Sequence, residues 1–223
     1  MLGNCAGKAL CAGDDNVLIG NAAGCSLTTG NQNVIIGKCA GKVQVGASCN
    51  IFLGHYAGAA VTSGSCNIIM GRWAGSSVET GIDNVYIGDA AGANSIGCRN
   101  VFLGREAGKS CSSADQAGAT DHIAIGYQAG FCLDDAVSNT FLGKYSGRAV
   151  TSGSCNLYAG HGAGYTATTG SKIVDLGYLP GSAALTGSDN VFIGSQAGQN
   201  ATSAESNIAI GELDMSSTGA ALT

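Results

Sequence analysis

The sequence predicts an all-β fold, a parallel β-solenoid (β-roll) of about 13 coils in one domain spanning residues 1–223, on three observations. The unit Asn16-Val17-Leu18-Ile19-Gly20-Asn21-Ala22-Ala23-Gly24 returns as Asn33 to Gly41, as Asn50 to Gly58, and so on to Asn207-Ile208-Ala209-Ile210-Gly211. Its first glycine falls at Gly3, Gly20, Gly37, Gly54, Gly71, Gly88, Gly104, Gly126, Gly143, Gly160, Gly177, Gly194 and Gly211, a period of 17 broken only by 16 before Gly104 and 22 before Gly126. Each copy is a short β-branched or aromatic run closed by Gly-x-x-Ala-Gly, a strand followed by a turn. A helical repeat is excluded because this period is too short for one, and each glycine inside a helix costs about 1 kcal/mol against alanine. An extended copy makes a circuit of about 56 Å, and such circuits stack at about 4.8 Å per coil.

Composition narrows the function classes. With 45% hydrophobic and 11% charged residues the chain is not disordered, and its 37 glycines among 223 residues show no collagen period. A net charge of −5 and a pI near 4.9 argue against nucleic acid as a partner. No apolar run approaches a membrane span, and Met1-Leu2-Gly3-Asn4 does not begin a secretory signal, so membrane insertion is not expected.

The positions of one copy can be justified in order, taking its first glycine as position 0. Position −4 is asparagine in ten copies: Asn16, Asn33, Asn50, Asn67, Asn84, Asn100, Asn139, Asn156, Asn190 and Asn207. Asparagine tolerates a left-handed corner, and stacked amides can form a hydrogen-bonded ladder; the rival reading is a row of ligand-binding amides. Positions −3 and −1 are mostly Val, Ile or Leu, as in Val34 and Ile36, and are expected to fill the interior. Position −2 should then point outward, although it holds Leu18, Ile35, Phe52, Ile69, Tyr86, Phe102, Phe141, Tyr158 and Phe192. An exposed stripe of that kind needs a partner, so Phe52, Tyr86, Phe102, Phe141, Tyr158 and Phe192 are expected at a subunit interface, with a sugar platform as the alternative. The two glycines of Gly-x-x-Ala-Gly supply positive φ at turns. The 22-residue copy carries its extra residues in a loop at about 109–121.

The run Asn-Val-x-Ile-Gly resembles the head domains of trimeric autotransporter adhesins, whose related unit builds a β-roll that associates in threes along an apolar face. The fuller form from Asn16 to Gly30 also resembles repeats in fibre proteins of viruses that infect marine microbes and algae. These resemblances imply a homotrimeric structural fibre on a virion or microbial surface, hence an extracellular location. The alternative they leave is an adhesin that holds a host-surface glycan, with Tyr56, Trp73 and Tyr145, which share one position, as its contacts. A third reading, ice binding, rests on Thr29, Ser63, Thr80, Ser152, Thr169, Thr186 and Ser203 at one position, interrupted by Gly46 and Gly97.

Ten cysteines require placement on the repeat. Cys49 and Cys66 stack on adjacent coils, and Cys111 and Cys132 nearly match across the insertion; stacked Cα atoms about 5 Å apart lie within disulfide range, with buried free thiols as the alternative. No cysteine pair meets a histidine pair at zinc spacing, and Asp14-Asp15 and Asp134-Asp135 match no calcium loop, so neither metal nor other cofactor is expected. His55, His122 and His161 fall on different coils, and no nucleophile, base and orienter converge, so the chain is not expected to be an enzyme. Met1 enters two residues before Gly3, and Thr223 ends almost in phase with it, so either rods are expected to join end to end into a filament or the chain is expected to be part of a longer rod.

Overall fold

The structure is a computed structural model that describes residues 1–111, 119–181, 185–203 and 205–211. It is an all-β solenoid. Twelve three-residue strands follow one another: β1 (Val17–Ile19), β2 (Val34–Ile36), β3 (Ile51–Leu53), β4 (Ile68–Met70), β5 (Val85–Ile87), β6 (Val101–Leu103), β7 (Ile123–Ile125), β8 (Thr140–Leu142), β9 (Leu157–Ala159), β10 (Val174–Leu176), β11 (Val191–Ile193) and β12 (Ile208–Ile210). They form a single parallel sheet in chain order, with equivalent residues paired, as in Val34 with Ile51 and Ile35 with Phe52. The sheet makes about 11 turns of the repeat rather than 13 coils; in the copy around Gly3 only an isolated bridge, Leu2 to Ile19, continues the pairing. At about 4.8 Å per step the strands span roughly 53 Å of rod. The long copy leaves the register intact, since Val101 still pairs with Ile123; most of its 109–121 loop lies outside the described residues.

The stripe expected at a subunit interface is inside the chain. Phe52, Tyr86, Phe102, Phe141, Tyr158 and Phe192 are fully buried, as are Leu18, Ile35 and Ile69, while the residues at positions −3 and −1 look outward. The alternation is as read from the sequence, but its sense is inverted. The cause is width. A three-residue strand offers the interior either one side chain or two, and the far wall stands too close for two. That wall is the Ala-Gly of the turn: a Cβ on Gly58 would sit 3.0 Å from the Phe52 ring, and one on Gly92 would sit 2.5 Å from the Tyr86 ring. Each ring therefore fills the space that Ala and Gly vacate. Neighbouring rings then stack along the axis, with Tyr86 and Phe102 4.9 Å apart and 7° from parallel.

Position 0 is bound to glycine by two constraints together. Gly20 has φ of 129°, which L side chains rarely adopt, and a Cβ there would lie 2.6 Å from the Gly37 carbonyl oxygen of the next coil. Close stacking of coils needs a backbone with no side chain at this point.

The asparagines line the inside of a corner. Asn33, Asn50, Asn67, Asn84, Asn100, Asn139 and Asn190 are fully buried. The Asn50 side-chain oxygen accepts from the Asn67 backbone N–H at 2.9 Å, and its amide donates to the Gly64 carbonyl at 2.9 Å. The same pair of bonds recurs at Asn67, Asn84 and Asn139. One side chain thus ties its coil to the next and closes the corner stacked on it, through Gly64 at the start of that corner and Asn67 at its end. Positive φ belongs to the preceding residue, as at Asp15 (58°), Cys49 (60°) and Cys66 (61°), so the ladder positions require asparagine for its amide rather than for a left-handed backbone.

Phe102→Ala should cost about 3–5 kcal/mol, as ring deletions in a packed core do, and by the same amount at every protein concentration. Chemical denaturation at two concentrations a hundredfold apart checks this, because a ring at an interface would lose stability only where chains associate.

Candidate functional site

Two surfaces remain once the interior is assigned. The first is the outer side of the sheet, where positions −3 and −1 form two parallel columns of aliphatic side chains along the whole rod. Val17, Ile19, Ile51, Leu53, Ile87, Ile123, Ile125, Leu142 and Leu157 are each more than a third exposed there. The surface is flat and carries no charged residue, because every residue at both positions is aliphatic, methionine or threonine.

The second surface is the turn that follows each strand. Its second residue is left-handed and, apart from Gly162, is not glycine, as at Tyr56 (58°), Trp73 (60°) and Tyr145 (62°). Such a conformation costs of order 1 kcal/mol or more, and coil-to-coil hydrogen bonds hold it: the Tyr56 N–H donates to Lys38 at 3.0 Å and the Trp73 N–H donates to His55 at 2.9 Å. Side chains at positions +1, +2 and +5 consequently project in columns. Tyr56 and Trp73 stack at 4.3 Å and 10° from parallel, with His55 edge-on to both. Tyr145 stands four coils farther along in a separate cluster with Tyr127, His161 and Tyr165, so the three aromatic residues singled out at one position do not form one site. The Arg148 guanidinium lies over Phe131 and Tyr165 at 5.2 and 5.6 Å.

Charge is sorted between the corners, which the net value conceals. Eight of the ten Lys and Arg residues occupy positions +1 and +5: Lys8, Lys38, Lys42, Arg72, Arg105, Lys109, Lys144 and Arg148. Among the described residues only Asp89 and Glu106 oppose them on this surface. The corner before the strand holds Asp14, Asp15, Glu79, Asp83, Asp121, Asp134, Asp135, Asp189 and Glu205 with only Arg99 and Lys172. Reading partners from net charge missed this; placing each charge on the 17-residue period finds it.

Small residues interrupt the aromatic and basic columns at several coils, among them Ala59, Ala90, Ala93 and Gly162. Where the next coil has Ala90 and Ala93, a cleft of about 410 Å³ opens, lined by Arg72, Trp73, Ser76, Asp89, Asn94, Arg105, Glu106 and Lys109. Arg72 makes a two-pronged contact to Asp89 at 3.0 Å for each bond, which holds the Asp89 carboxyl below its usual range. Arg105 reaches Asp89 only at 4.0 Å, and Lys109 lies 3.7 Å from Glu106.

The cysteines divide. Cys111 and Cys132 form a disulfide that joins adjacent coils at the insertion, whereas Cys49 and Cys66 are free and exposed. Among the described residues no cluster of three or more His, Cys, Asp or Glu could hold a metal ion, and no helix is long and apolar enough to cross a membrane. The Thr and Ser column from Thr29 to Ser203 is exposed on its corner.

Two titratable groups lie in the interior. His122 occupies the ladder position of its coil and reproduces the asparagine's bonds: Nδ1 accepts from the Asn139 N–H at 3.1 Å and Nε2–H donates to the Ala136 carbonyl at 2.9 Å. Burial pushes its pKa down to about 4. Asp175 stands in the ring column between Tyr158 and Phe192, fully buried, and burial pushes its pKa up to about 8. The Tyr158 phenol beside it is pushed up as well, first by burial and then by the Asp175 charge. Comparison with known protein families, curated proteins and solved structures finds no match for this chain.

These two groups set opposite pH slopes. His122 binds its proton more weakly folded than unfolded, so its contribution is complete above pH 6.5 and is lost as pH falls toward about 4. Asp175 holds its proton more tightly folded, so stability is present below the ordinary carboxylate pKa of 3.8 and is lost as pH rises through about 8. Between pH 6.5 and 8 only Asp175 of the pair acts, so the melting temperature should fall across that window and stay flat in Asp175→Asn. Thermal melts at half-unit pH steps check it.

Proposed function

We propose that this chain is a structural rod that associates side by side with further copies of itself, as a component of an extracellular or virion fibre. The observation that carries the reading is the unpaired aliphatic face. Twelve strands about 4.8 Å apart and three residues wide, at about 3.3 Å each, present a strip of roughly 570 Å². A strip of that size reaches the upper end of the largest apolar patch on an ordinary monomer, roughly 300–600 Å². Two copies joined along it bury roughly 1,150 Å², above the roughly 1,000 Å² that a specific interface needs. Three rods around one axis, the arrangement implied by the resemblance to adhesin heads, turn all three strips away from water.

Uniformity supports the reading further. The sheet keeps its register through all twelve strands, so each coil repeats the same outer profile and a partner meets matching columns over the whole length. The Cys111–Cys132 disulfide supports an oxidising location. The adhesin reading is favoured by a different observation, the cleft beside Trp73, and the two readings are compatible because the cleft and the strip lie on different surfaces.

Charges placed in the strip test the self-association. Sedimentation should give a multiple of the 21.9 kDa chain mass for the native protein. Ile87→Glu together with Ile125→Glu should return the single-chain mass at micromolar concentration while circular dichroism stays unchanged, since both residues are about 40% exposed in the single rod. A native protein that sediments as one chain at every concentration would refute the proposal.

A further inference from the structure

We propose that the cleft beside Trp73 is a binding site for a carboxylate-bearing pyranose, a uronic or sialic acid unit of a glycan, with Trp73 as the stacking platform and Arg105 as the carboxylate ligand. The inference is independent of how the rods associate.

The ring geometry comes first. One face of Trp73 is covered by its neighbour one coil away, Tyr56, at 4.3 Å. Along the column the next coil offers Ala90, so the other indole face borders the cleft, and Trp73 is 41% exposed. An indole face of this kind packs against the C–H side of a pyranose ring. A cleft of about 410 Å³ lies within the usual range for small-ligand sites, roughly 300–1,000 Å³.

The polar groups fit the rest of such a ligand. Arg72 is committed to Asp89 through both prongs, and Lys109 faces Glu106; Arg105 lies over the Tyr127 ring at 5.8 Å and approaches Asp89 only at 4.0 Å, so the in-plane N–H fork of its guanidinium makes no close hydrogen bond to either. A guanidinium with a free fork takes a carboxylate through two parallel hydrogen bonds. Asp89 and Glu106 in the same cleft accept hydrogen bonds from sugar hydroxyls. The three cations Arg72, Arg105 and Lys109 exceed the two carboxylates by one charge, which suits a single ligand carboxylate rather than the continuous phosphates of a nucleic acid strand. A neutral sugar would leave Arg105 without its partner.

Isothermal titration of the full chain with a galacturonic acid tetramer and with 3′-sialyllactose tests the assignment and separates the two acid types. At least one of them should bind, with a neutral galactose oligomer weaker by about tenfold or more. Trp73→Ala and Arg105→Gln should each weaken binding by about tenfold or more, while Tyr145→Ala, in the distant cluster, leaves it unchanged. Circular dichroism of each variant confirms the fold, which none of these exposed or half-exposed side chains supports. No binding of either acid, equal binding by the neutral oligomer, insensitivity to Trp73→Ala, or tighter binding of a twelve-residue single-stranded oligothymidylate would each overturn the proposal.

Discussion

Every feature of this rod depends on the width of its interior. Coils held at the strand spacing by backbone hydrogen bonds, such as Val34 N–H to the Asn50 carbonyl at 2.8 Å, leave a flattened core with room for one side chain from each strand. Where that side chain is a ring the opposing turn is small, Ala57-Gly58 against Phe52 and Ser146-Gly147 against Phe141. The two flanking residues must then face water, and along twelve strands they become a continuous aliphatic strip. The strip is thus a geometric product of the narrow core, and the proposed self-association is a remedy for its exposure.

The asparagine ladder solves the remaining problem of so thin a core, which is that corners bury polar backbone. An amide has both an acceptor and a donor, so Asn50 satisfies both the Asn67 N–H and the Gly64 carbonyl of the corner stacked on it. His122 supplies the same pair of functions through its two ring nitrogens, whereas the buried Ile173 at the ladder position of its copy supplies neither and takes part only through its backbone N–H. Imidazole brings a titratable proton with it. Gln44 shows a related solution from another interior position, donating to Asn33 at 3.1 Å and to the Ala47 carbonyl at 2.8 Å.

Much of this was legible in the sequence, because a repeat fixes which residues stack. The period gave the strands, their parallel order and the asparagine column, and the near match of Cys111 and Cys132 pointed to the pair that is bonded. What the period cannot say is which side of a strand faces inward. Val34 and Ile36 look as suited to a core as Ile35, and alternation is symmetric between the two choices. The decisive signal was size complementarity across the coil: a ring at position −2 needs something small opposite, and Ala57-Gly58 stands there facing Phe52. The cleft was hidden for a different reason. Trp73 was visible, but the open face beside it is made by the smallness of Ala90 and Ala93, which no motif marks.

Hydroxyl-radical footprinting of single side chains as a function of protein concentration addresses the central claim most directly. The rings of Phe52, Tyr86, Phe102, Phe141, Tyr158 and Phe192 should be protected equally in dilute and concentrated solution, because the chain itself buries them. Ile87, Ile125 and Leu142 should react in dilute solution and become protected as the concentration rises and copies associate. Rings that react when dilute, or aliphatic columns that stay reactive at every concentration, would contradict the account.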